Sequence, residues 1–246
     1  MIKLYPRWQM ATIKQLMLER RVLLLSGVRQ CGKTTLAHQL ESNETEYRTL
    51  DDGTLREAAE SDPQGFVKRN VKTLIIDEVQ RVPPLLSAIK KAVDEYISYG
   101  QYLLTGSTNI QSLPTVSESL AGRIAKSRLR PLAQGEIERT TPGFFDSAFN
   151  QSFSSGNTNY DRDAILEIAF RGGFPEPMLL KDRGRKRWHT DYVNAILERY
   201  LKEIDIIHRK NAMRELVHTL AAWSGKFMDL SAIGSGLSIQ RSTIES

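Results

Sequence analysis

Residues 22–35 read VLLLSGVRQCGKTT, and this stretch decides the fold. The apolar run 22–25 predicts a buried strand, and residues 27–34 match the pattern G-x-x-x-x-G-K-[ST] in full. Glycines let such a loop turn its backbone N–H groups onto a phosphate, and the following helix adds the positive end of its dipole. We therefore interpret this stretch as a polyphosphate-binding loop, with the predicted binding residues Gly27, Val28, Arg29, Gln30, Cys31, Gly32, Lys33, Thr34 and Thr35.

Four side chains of this loop carry specific expectations. Lys33 is predicted to neutralise the β- and γ-phosphates of ATP, and Thr34 to bind Mg²⁺, because this hard cation prefers oxygen ligands. Cys31 has two interpretations: positive charge nearby makes it reactive, or it is a passive small residue, which we favour. Arg29 either contacts a phosphate or pairs with an acidic neighbour, and both interpretations stay open.

A second motif, LIIDE at residues 74–78, is a buried strand that ends in two carboxylates. Asp77 is predicted to hold Mg²⁺ through its water shell, and Glu78 to orient and deprotonate the attacking water. The alternative is a pair of acids at a helix start, but the following residues, up to the two prolines at 83 and 84, give no such start. The two carboxylates therefore favour hydrolysis.

A third polar group follows the apolar run 102–104. Thr105, Ser107 and Asn109 are small polar residues at a predicted strand end, which suits sensing of a γ-phosphate or positioning of water. A hydrogen-bonding turn is the alternative. The sequence does not define the adenine contacts, although Pro6, Arg7 and Trp8 precede the sheet at a place where a base could lodge.

Short apolar runs alternate with segments of helical period, which predicts an α/β protein with a parallel sheet covered by helices. The predicted strands are 22–25, 47–50, 74–76, 102–104 and 124–129, and the predicted helices between them are 34–40, 55–68 and 85–99. The pattern changes after residue 131, and 140–160 shows no sustained period. We predict a P-loop ATPase domain at 1–139, a linker and small helical lid domain at 140–207, and the start of a winged helix at 208–246.

Composition narrows the choice of partners and compartment. The net charge of +5 favours an anionic partner, although 34 basic against 29 acidic residues is a modest excess. One cysteine and four histidines predict neither a disulfide nor a zinc site, and no apolar stretch suits a membrane span, so a cytoplasmic protein is expected. We interpret the densest basic cluster as solvent-exposed side chains at the start of a helix. This cluster contains Lys181, Arg183, Arg185, Lys186 and Arg187.

Several stretches together resemble a family, the AAA+-type prokaryotic ATPases whose P-loop domain precedes a winged helix and a domain of unknown function. They are GVRQCGKTT at 27–35, IIDEVQRVP at 75–83, LTGS at 104–107, SLAGR at 119–123 and GGFPE at 172–176. The resemblance implies a three-layer sandwich whose five-stranded sheet has the order 5-1-4-3-2, with Ser107 near the γ-phosphate. It also implies that Arg123 is an arginine finger inserted into a neighbour's site, which requires a homo-oligomer. A structural salt bridge is the alternative role for Arg123.

Two departures from the family pattern stand out. Relatives carry an Arg-Asp pair in the long helix after GGFPE, whereas here Arg199 is followed by Tyr200. Residues 238–246 resemble only the start of a recognition helix, so the chain is expected to be truncated and its nucleic-acid or protein partner stays unidentified.

The favoured function from these residues is hydrolysis of ATP with Mg²⁺ to drive a conformational cycle. A nucleotide-dependent switch with little turnover is the second interpretation, and a P-loop phosphotransferase is the third. Glu78 beside Asp77 favours hydrolysis over transfer, and the chain has no N-K-x-D motif for guanine.

Overall fold

The computed structural model describes residues 4–107, 120–152, 160–202 and 209–227. Its centre is a sheet of five strands, β1 (Val22–Gly27), β2 (Thr45–Thr49), β3 (Thr73–Asp77), β4 (Tyr102–Gly106) and β5 (Ile124–Leu129). Every pairing is parallel, and the order across the sheet is β2-β3-β4-β1-β5. This order is the predicted 5-1-4-3-2 counted from the other edge, so the predicted fold is confirmed.

Ten α-helices accompany these strands in the described part of the chain. They are α1 (Gln9–Glu19), α2 (Lys33–His38), α3 (Gly53–Ser61), α4 (Pro63–Phe66), α5 (Leu85–Glu95), α6 (Gln134–Ile137), α7 (Phe144–Phe149), α8 (Arg162–Arg171), α9 (Asp182–Lys202) and α10 (Arg209–Ala222). Two short 3-10 helices, Val79–Arg81 and Pro177–Leu179, complete the list.

Three helix predictions need correction. The single helix predicted over 55–68 is two helices, because the side chain of Asp62 accepts a hydrogen bond from the Gly65 N–H and Pro63 starts α4. Helix α1 was not predicted, since its apolar stripe is weak and only Ile13 is buried. Helix α7 lies in the stretch predicted to lack a period, and none of its residues is buried.

Apolar side chains bury both faces of the sheet, as the near-continuous apolar strands predict. One face packs Leu24, Ile76 and Leu104 against α5, and the other packs Leu25 and Ile75 with residues of α1 and α2. Successive strand residues therefore alternate between two cores. Each fully buried Leu or Ile contributes about 1.5–3 kcal/mol to stability, so the strands form a rigid platform for the loops at their ends.

The chain divides into two compact units, Met1–Leu179 and Leu180–Ser246. The predicted domain limits at 139/140 and 207/208 stay predictions, and the predicted winged-helix turn at 238–246 lies outside the described residues, as do the side chains of Arg199 and Tyr200. Among the helices that the structure describes, none combines the length and the apolar character needed to span a bilayer. The cytoplasmic location stays a prediction.

Candidate nucleotide-binding site

The predicted phosphate loop joins β1 to α2 at the carboxyl end of the sheet. Gln30 and Gly32 both have left-handed backbone conformations, with φ of 59° and 98°. A Cβ atom on Gly27 would lie 2.4 Å from the carbonyl oxygen of Leu129 on β5, so only glycine fits there. The loop therefore folds as the motif predicts, as a tight turn between a buried strand and a helix.

Lys33 is buried beneath this loop, with 5% of its surface exposed. Its Nζ atom donates hydrogen bonds to the carbonyl oxygens of Gly27 at 3.2 Å and Val28 at 3.1 Å. An ammonium group has three hydrogens, so these two bonds fix its position and leave a third donor for an anion. The predicted phosphate-neutralising residue is thus pre-positioned at the loop.

Asp77 is the centre of a buried network of hydroxyl groups and is 2% exposed. The Thr34 hydroxyl lies 3.1 and 3.3 Å from its two carboxylate oxygens, and the Tyr47 hydroxyl donates to Oδ2 at 3.0 Å. The Thr105 hydroxyl donates a short hydrogen bond to Oδ1. Three donors from three elements satisfy a carboxylate that would be costly to bury alone. The two predicted metal ligands, Thr34 and Asp77, are therefore in direct contact.

Tyr47 was not predicted as a site residue. It lies on β2, beside β3 in the sheet, and its ring packs 4.2 Å from that of His38, measured between ring centroids. Burial, the Asp77 charge and the hydrogen bond to Asp77 raise the pKa of Tyr47 far above its ordinary value, so the phenol stays a donor. Only the neighbour relation of β2 and β3, rather than any local motif, would have indicated this contact.

Glu78 follows Asp77 in a left-handed conformation, with φ 59° and ψ 41°. Such a conformation is uncommon for a residue other than glycine and is held by its surroundings. Its N–H donates to the Thr105 hydroxyl at 3.2 Å, and its carboxylate accepts a short hydrogen bond from Gln80 Nε2. Glu78 makes no side-chain cap to the 3-10 helix Val79–Arg81, so helix capping does not account for this acid.

The three polar residues predicted at the carboxyl end of β4 have different positions. Thr105 is fully buried and links the two acids, since it donates to Asp77 and accepts from the Glu78 N–H. Ser107 is half-buried and directly follows β4, next to the ends of β1 and β3. Asn109 lies outside the described residues.

The segment before α1 packs against the phosphate loop, where adenine was predicted to lodge. Arg7 donates to the carbonyl oxygens of Cys31 at 2.9 Å and Arg130 at 2.5 Å, and forms a buried ion pair with Glu136 at 3.3 Å. The indole N–H of Trp8 is bound to the carbonyl oxygen of Thr140 at 2.8 Å. Arg7 thus clamps the loop to β5 and α6, a role that sequence reasoning missed.

Cys31 is fully buried, and its thiol lies 3.6 Å from the carbonyl oxygen of Leu129. Burial raises the pKa of this thiol, against the smaller opposing effects of Lys33 and Arg7. A thiol with a raised pKa is a poor nucleophile. The passive interpretation of Cys31 is therefore the one that the geometry supports.

Arg123 lies at the amino end of β5, across the sheet from the phosphate loop. Its guanidinium group forms two hydrogen bonds to Asp94, at 2.5 and 3.0 Å, and a third to the carbonyl oxygen of Ala121 at 3.0 Å. The hydrogen bond from Arg123 lowers the pKa of Asp94. Within one chain Arg123 therefore forms the salt bridge that was its alternative role.

Arg29, whose two interpretations were left open, has an exposed side chain on the phosphate loop.

The predicted basic cluster lies where α9 begins. Lys181, Arg183, Lys186 and Arg187 are exposed, which fits the solvated helix entry. Arg185 is half-buried and pairs with Asp182 at 3.3 Å. Among the described residues, no group of three or more His, Cys, Asp or Glu side chains is suited to hold a metal ion.

A parallel sheet with this loop after β1 and two acids at the end of β3 has the fold of P-loop nucleotide-binding domains. Residues 19–138 match the family described as AAA domain, and residues 162–246 match a domain of unknown function, DUF8612. Residues 19–138 are thus similar to AAA domains, and residues 162–246 to that domain of unknown function. The predicted resemblance to AAA+-type ATPases is confirmed.

Individual relatives are distant. The uncharacterized proteins Mb2031c of Mycobacterium bovis and Rv2008c of Mycobacterium tuberculosis are each 25% identical to the chain over 223 residues. The match covers 90% of this chain and 45% of each relative, so the chain spans less than half their length. The structure of AMPPCP-bound DnaA from Aquifex aeolicus is 15% identical, with 96% of this chain and 82% of that chain covered and a TM-score of 0.44.

Proposed function

We propose that this chain binds ATP with Mg²⁺ and hydrolyses it to ADP and phosphate, and that the cycle drives a change of conformation. The observation that carries the proposal is the contact between the Thr34 hydroxyl and the Asp77 carboxylate, 43 residues apart in sequence and 3.1 Å apart in space. It lies beside Lys33, whose ammonium group is already held at the phosphate loop. A phosphate-binding loop and hard oxygen ligands thus meet at one edge of the sheet.

The residues at this edge fit Mg²⁺. A hydroxyl and a carboxylate are hard oxygen donors, and Mg²⁺ is commonly bound by one or two such protein groups together with phosphate oxygens and water. When bound, Mg²⁺ supplies charge neutralisation for the phosphates.

Each predicted site residue has a role in this proposal. Lys33 binds the β- and γ-phosphates, and Thr34 and Asp77 hold the cation. Glu78, which directly follows the strand that ends at Asp77, accepts a proton from the attacking water. Ser107 contacts the γ-phosphate from the end of β4. Loop amides of residues 27–35 surround the polyphosphate.

Steady-state phosphate release from ATP tests the proposal directly. Glu78→Gln is expected to keep nucleotide affinity and to lower kcat by about 10²–10⁴, the usual contribution of a general base. Lys33→Ala is expected to lose both binding and turnover. Lys91→Ala, which removes an exposed lysine from α5, is the matched control and should leave both unchanged.

Calorimetry with Mg-ATP decides between the rival functions. If phosphate release is equally low in wild type and both site variants, but calorimetry shows that ATP binding requires Lys33, the protein is a nucleotide-dependent switch and not a hydrolase. Absence of heat from folded wild-type protein would remove nucleotide binding itself.

We also propose that hydrolysis takes place in a homo-oligomer, in which Arg123 leaves Asp94 and contacts a neighbour's nucleotide. Its position at the opposite end of the sheet from its own loop supports action on another subunit rather than its own. Arg123→Ala should then lower kcat without lowering affinity.

Subunit mixing separates the two roles of Arg123. Lys33→Ala subunits keep their arginine, so adding them to inactive Arg123→Ala subunits should restore phosphate release. Full activity of a strict monomer would contradict the oligomer. The macromolecule on which the cycle acts, a nucleic acid or a protein, stays unidentified.

A further inference from the structure

The carboxylate of Asp77 is held from both sides within the sheet. Strand β3, which ends at Asp77, lies between β2 and β4. From β2 the Tyr47 hydroxyl donates to Oδ2 at 3.0 Å, and from β4 the Thr105 hydroxyl donates to Oδ1. The Thr34 hydroxyl lies 3.1 Å from Oδ2 and 3.3 Å from Oδ1, so it faces both oxygens. Each carboxylate oxygen thus has one partner in a neighbouring strand, and the two oxygens share Thr34.

Tyr47 is itself fixed by packing, so its hydroxyl has a set position. Its ring packs against the core on the side of the sheet that faces α2, and its centroid lies 4.2 Å from that of the His38 ring. Tyr47 pairs with Ile75, two positions before Asp77, and its long side chain reaches the carboxylate from there. Asp77 therefore cannot turn its carboxylate without losing hydrogen bonds from both neighbouring strands.

This restraint matters because two common divalent cations use carboxylates differently. Ca²⁺ takes roughly six to eight oxygen ligands in a flexible arrangement, and often binds both oxygens of one carboxylate. Mg²⁺ is smaller, requires a near-ideal octahedron and keeps several of its waters. A carboxylate that is held at both oxygens resists rearrangement around a larger cation, whereas it still accepts hydrogen bonds from a cation-bound water or from Thr34.

We propose that Tyr47 is a positioning residue that gives the site a preference for Mg²⁺ over Ca²⁺, because it holds Asp77 in one orientation. This inference rests on the proposed binding of ATP with Mg²⁺. Hydrogen-bond partners of metal-binding groups commonly orient those groups and tune the site in this way. The alternative is that Tyr47 only satisfies a carboxylate that is 2% exposed. A purely structural role weakens the site equally for every cation, so a comparison of cations separates the two roles.

The test uses Tyr47→Phe, which removes the hydroxyl and keeps the ring on His38. Calorimetry measures the Kd for ADP with saturating Mg²⁺, with saturating Ca²⁺, and with a chelator in place of a divalent cation. The Kd for Mg-ADP should rise about fivefold, the effect of one hydrogen bond, while the Kd for Ca-ADP stays the same or falls. The Kd without a divalent cation should stay within about twofold, since Lys33 and its loop contacts are unchanged.

Tyr102→Phe is the matched control. Tyr102 is buried at the opposite end of the sheet, where its hydroxyl donates to the carbonyl oxygen of Val67 at 2.9 Å. The same substitution there should lower the melting temperature and leave the ratio of the Kd values for Mg-ADP and Ca-ADP unchanged. Should Tyr47→Phe fail to fold, Tyr47→Met, whose flexible side chain adapts to the space of the ring, carries the same comparison.

Four outcomes overturn the inference. Wild-type protein that binds Mg-ADP and Ca-ADP equally well overturns it and leaves nucleotide binding standing. A Kd that rises by the same factor with Mg²⁺ and with Ca²⁺ in Tyr47→Phe shows a purely structural role, and the proposed function again stands. The same change of cation preference in Tyr102→Phe shows that the effect is not specific to Asp77. Folded wild-type protein that gives no heat with Mg-ATP overturns the proposed function and this inference together.

Discussion

The two ends of the parallel sheet hold their charged groups in opposite ways. At the carboxyl end, Lys33 and Asp77 are buried and bonded to loop carbonyls and hydroxyls. At the amino end, Arg123 and Arg21 share Asp94 in an exposed cluster. Buried polar groups are costly unless each partner is present, whereas exposed ion pairs contribute little. Mutations of the buried charged residues at the carboxyl end should therefore change both stability and chemistry, whereas mutations of the exposed charged cluster at the amino end should change stability little.

The largest expected effect on stability is that of Arg7→Ala. The Arg7 and Glu136 side chains are 7% and 6% exposed, and removal of Arg7 leaves a buried carboxylate with only its backbone donors. The free energy of unfolding should fall by about 3 kcal/mol, measured by urea denaturation. Arg123→Ala removes an exposed guanidinium with a similar number of hydrogen bonds and should barely move the urea midpoint. Equal shifts of the urea midpoint in the two variants would contradict the proposed difference between the two ends of the sheet.

Two buried threonines sharpen the comparison. Thr105→Val removes the hydroxyl that joins Asp77 to the Glu78 N–H, and should cost about 1–3 kcal/mol and lower phosphate release by about tenfold or more. Thr105→Ser keeps the hydroxyl and should retain turnover. Thr73→Val removes a hydroxyl bonded at 2.6 Å to the Gly100 carbonyl at the amino end. Thr73→Val should lower the free energy of unfolding by a similar amount, but phosphate release per folded molecule should stay unchanged.

Tyr47→Phe is expected to have a smaller effect. The substitution removes one of three donors to Asp77 and keeps the ring that packs on His38. Unfolding free energy should fall by about 1 kcal/mol, and Mg-ATP should bind a few-fold more weakly by calorimetry. Tyr99→Phe, at a tyrosine that is 59% exposed, is the control and should change neither quantity. A weaker affinity in the control would mean that the effect is not specific to Asp77.

The smallest effect is that of Asp94→Asn, and it should depend on pH. The hydrogen bond from Arg123 lowers the pKa of Asp94 below its ordinary value of 3.8. The stability from the ionised form is therefore present above that value and is lost as the pH falls through the lowered pKa. Melting temperatures of wild type and Asp94→Asn should differ slightly at neutral pH, and converge in acid or at high salt. A gap that widens in acid would contradict this sign.

Local patterns in the sequence were enough for much of the site. The phosphate loop, the strand before it and the acids after β3 follow from spacing and residue type alone, and the structure has all three in the expected elements. The strand order came from the family resemblance, because parallel neighbours far apart in sequence leave no local pattern. Helix α1 escaped prediction because only Ile13 of its residues is fully buried.

The missed residues share a physical reason. Tyr47 and Arg7 make contacts that depend on which strands and segments are neighbours in space. Arg7 reaches Glu136 across 129 positions of sequence, a contact that no motif around Arg7 indicates. The role of Arg123 was left between a finger and a salt bridge, and the structure has the salt bridge while the finger stays a prediction.

The position of the lone thiol has a practical consequence. Cys31 belongs to the phosphate loop itself, where oxidation or alkylation of the thiol would disturb the packing on which the proposed nucleotide binding depends. Because its sulfur is enclosed against Leu129 and its pKa is raised, folded protein should resist both reagents. Burial of the thiol thus protects the loop from oxidation. The rate at which Cys31 is labelled reports how often this end of the sheet opens.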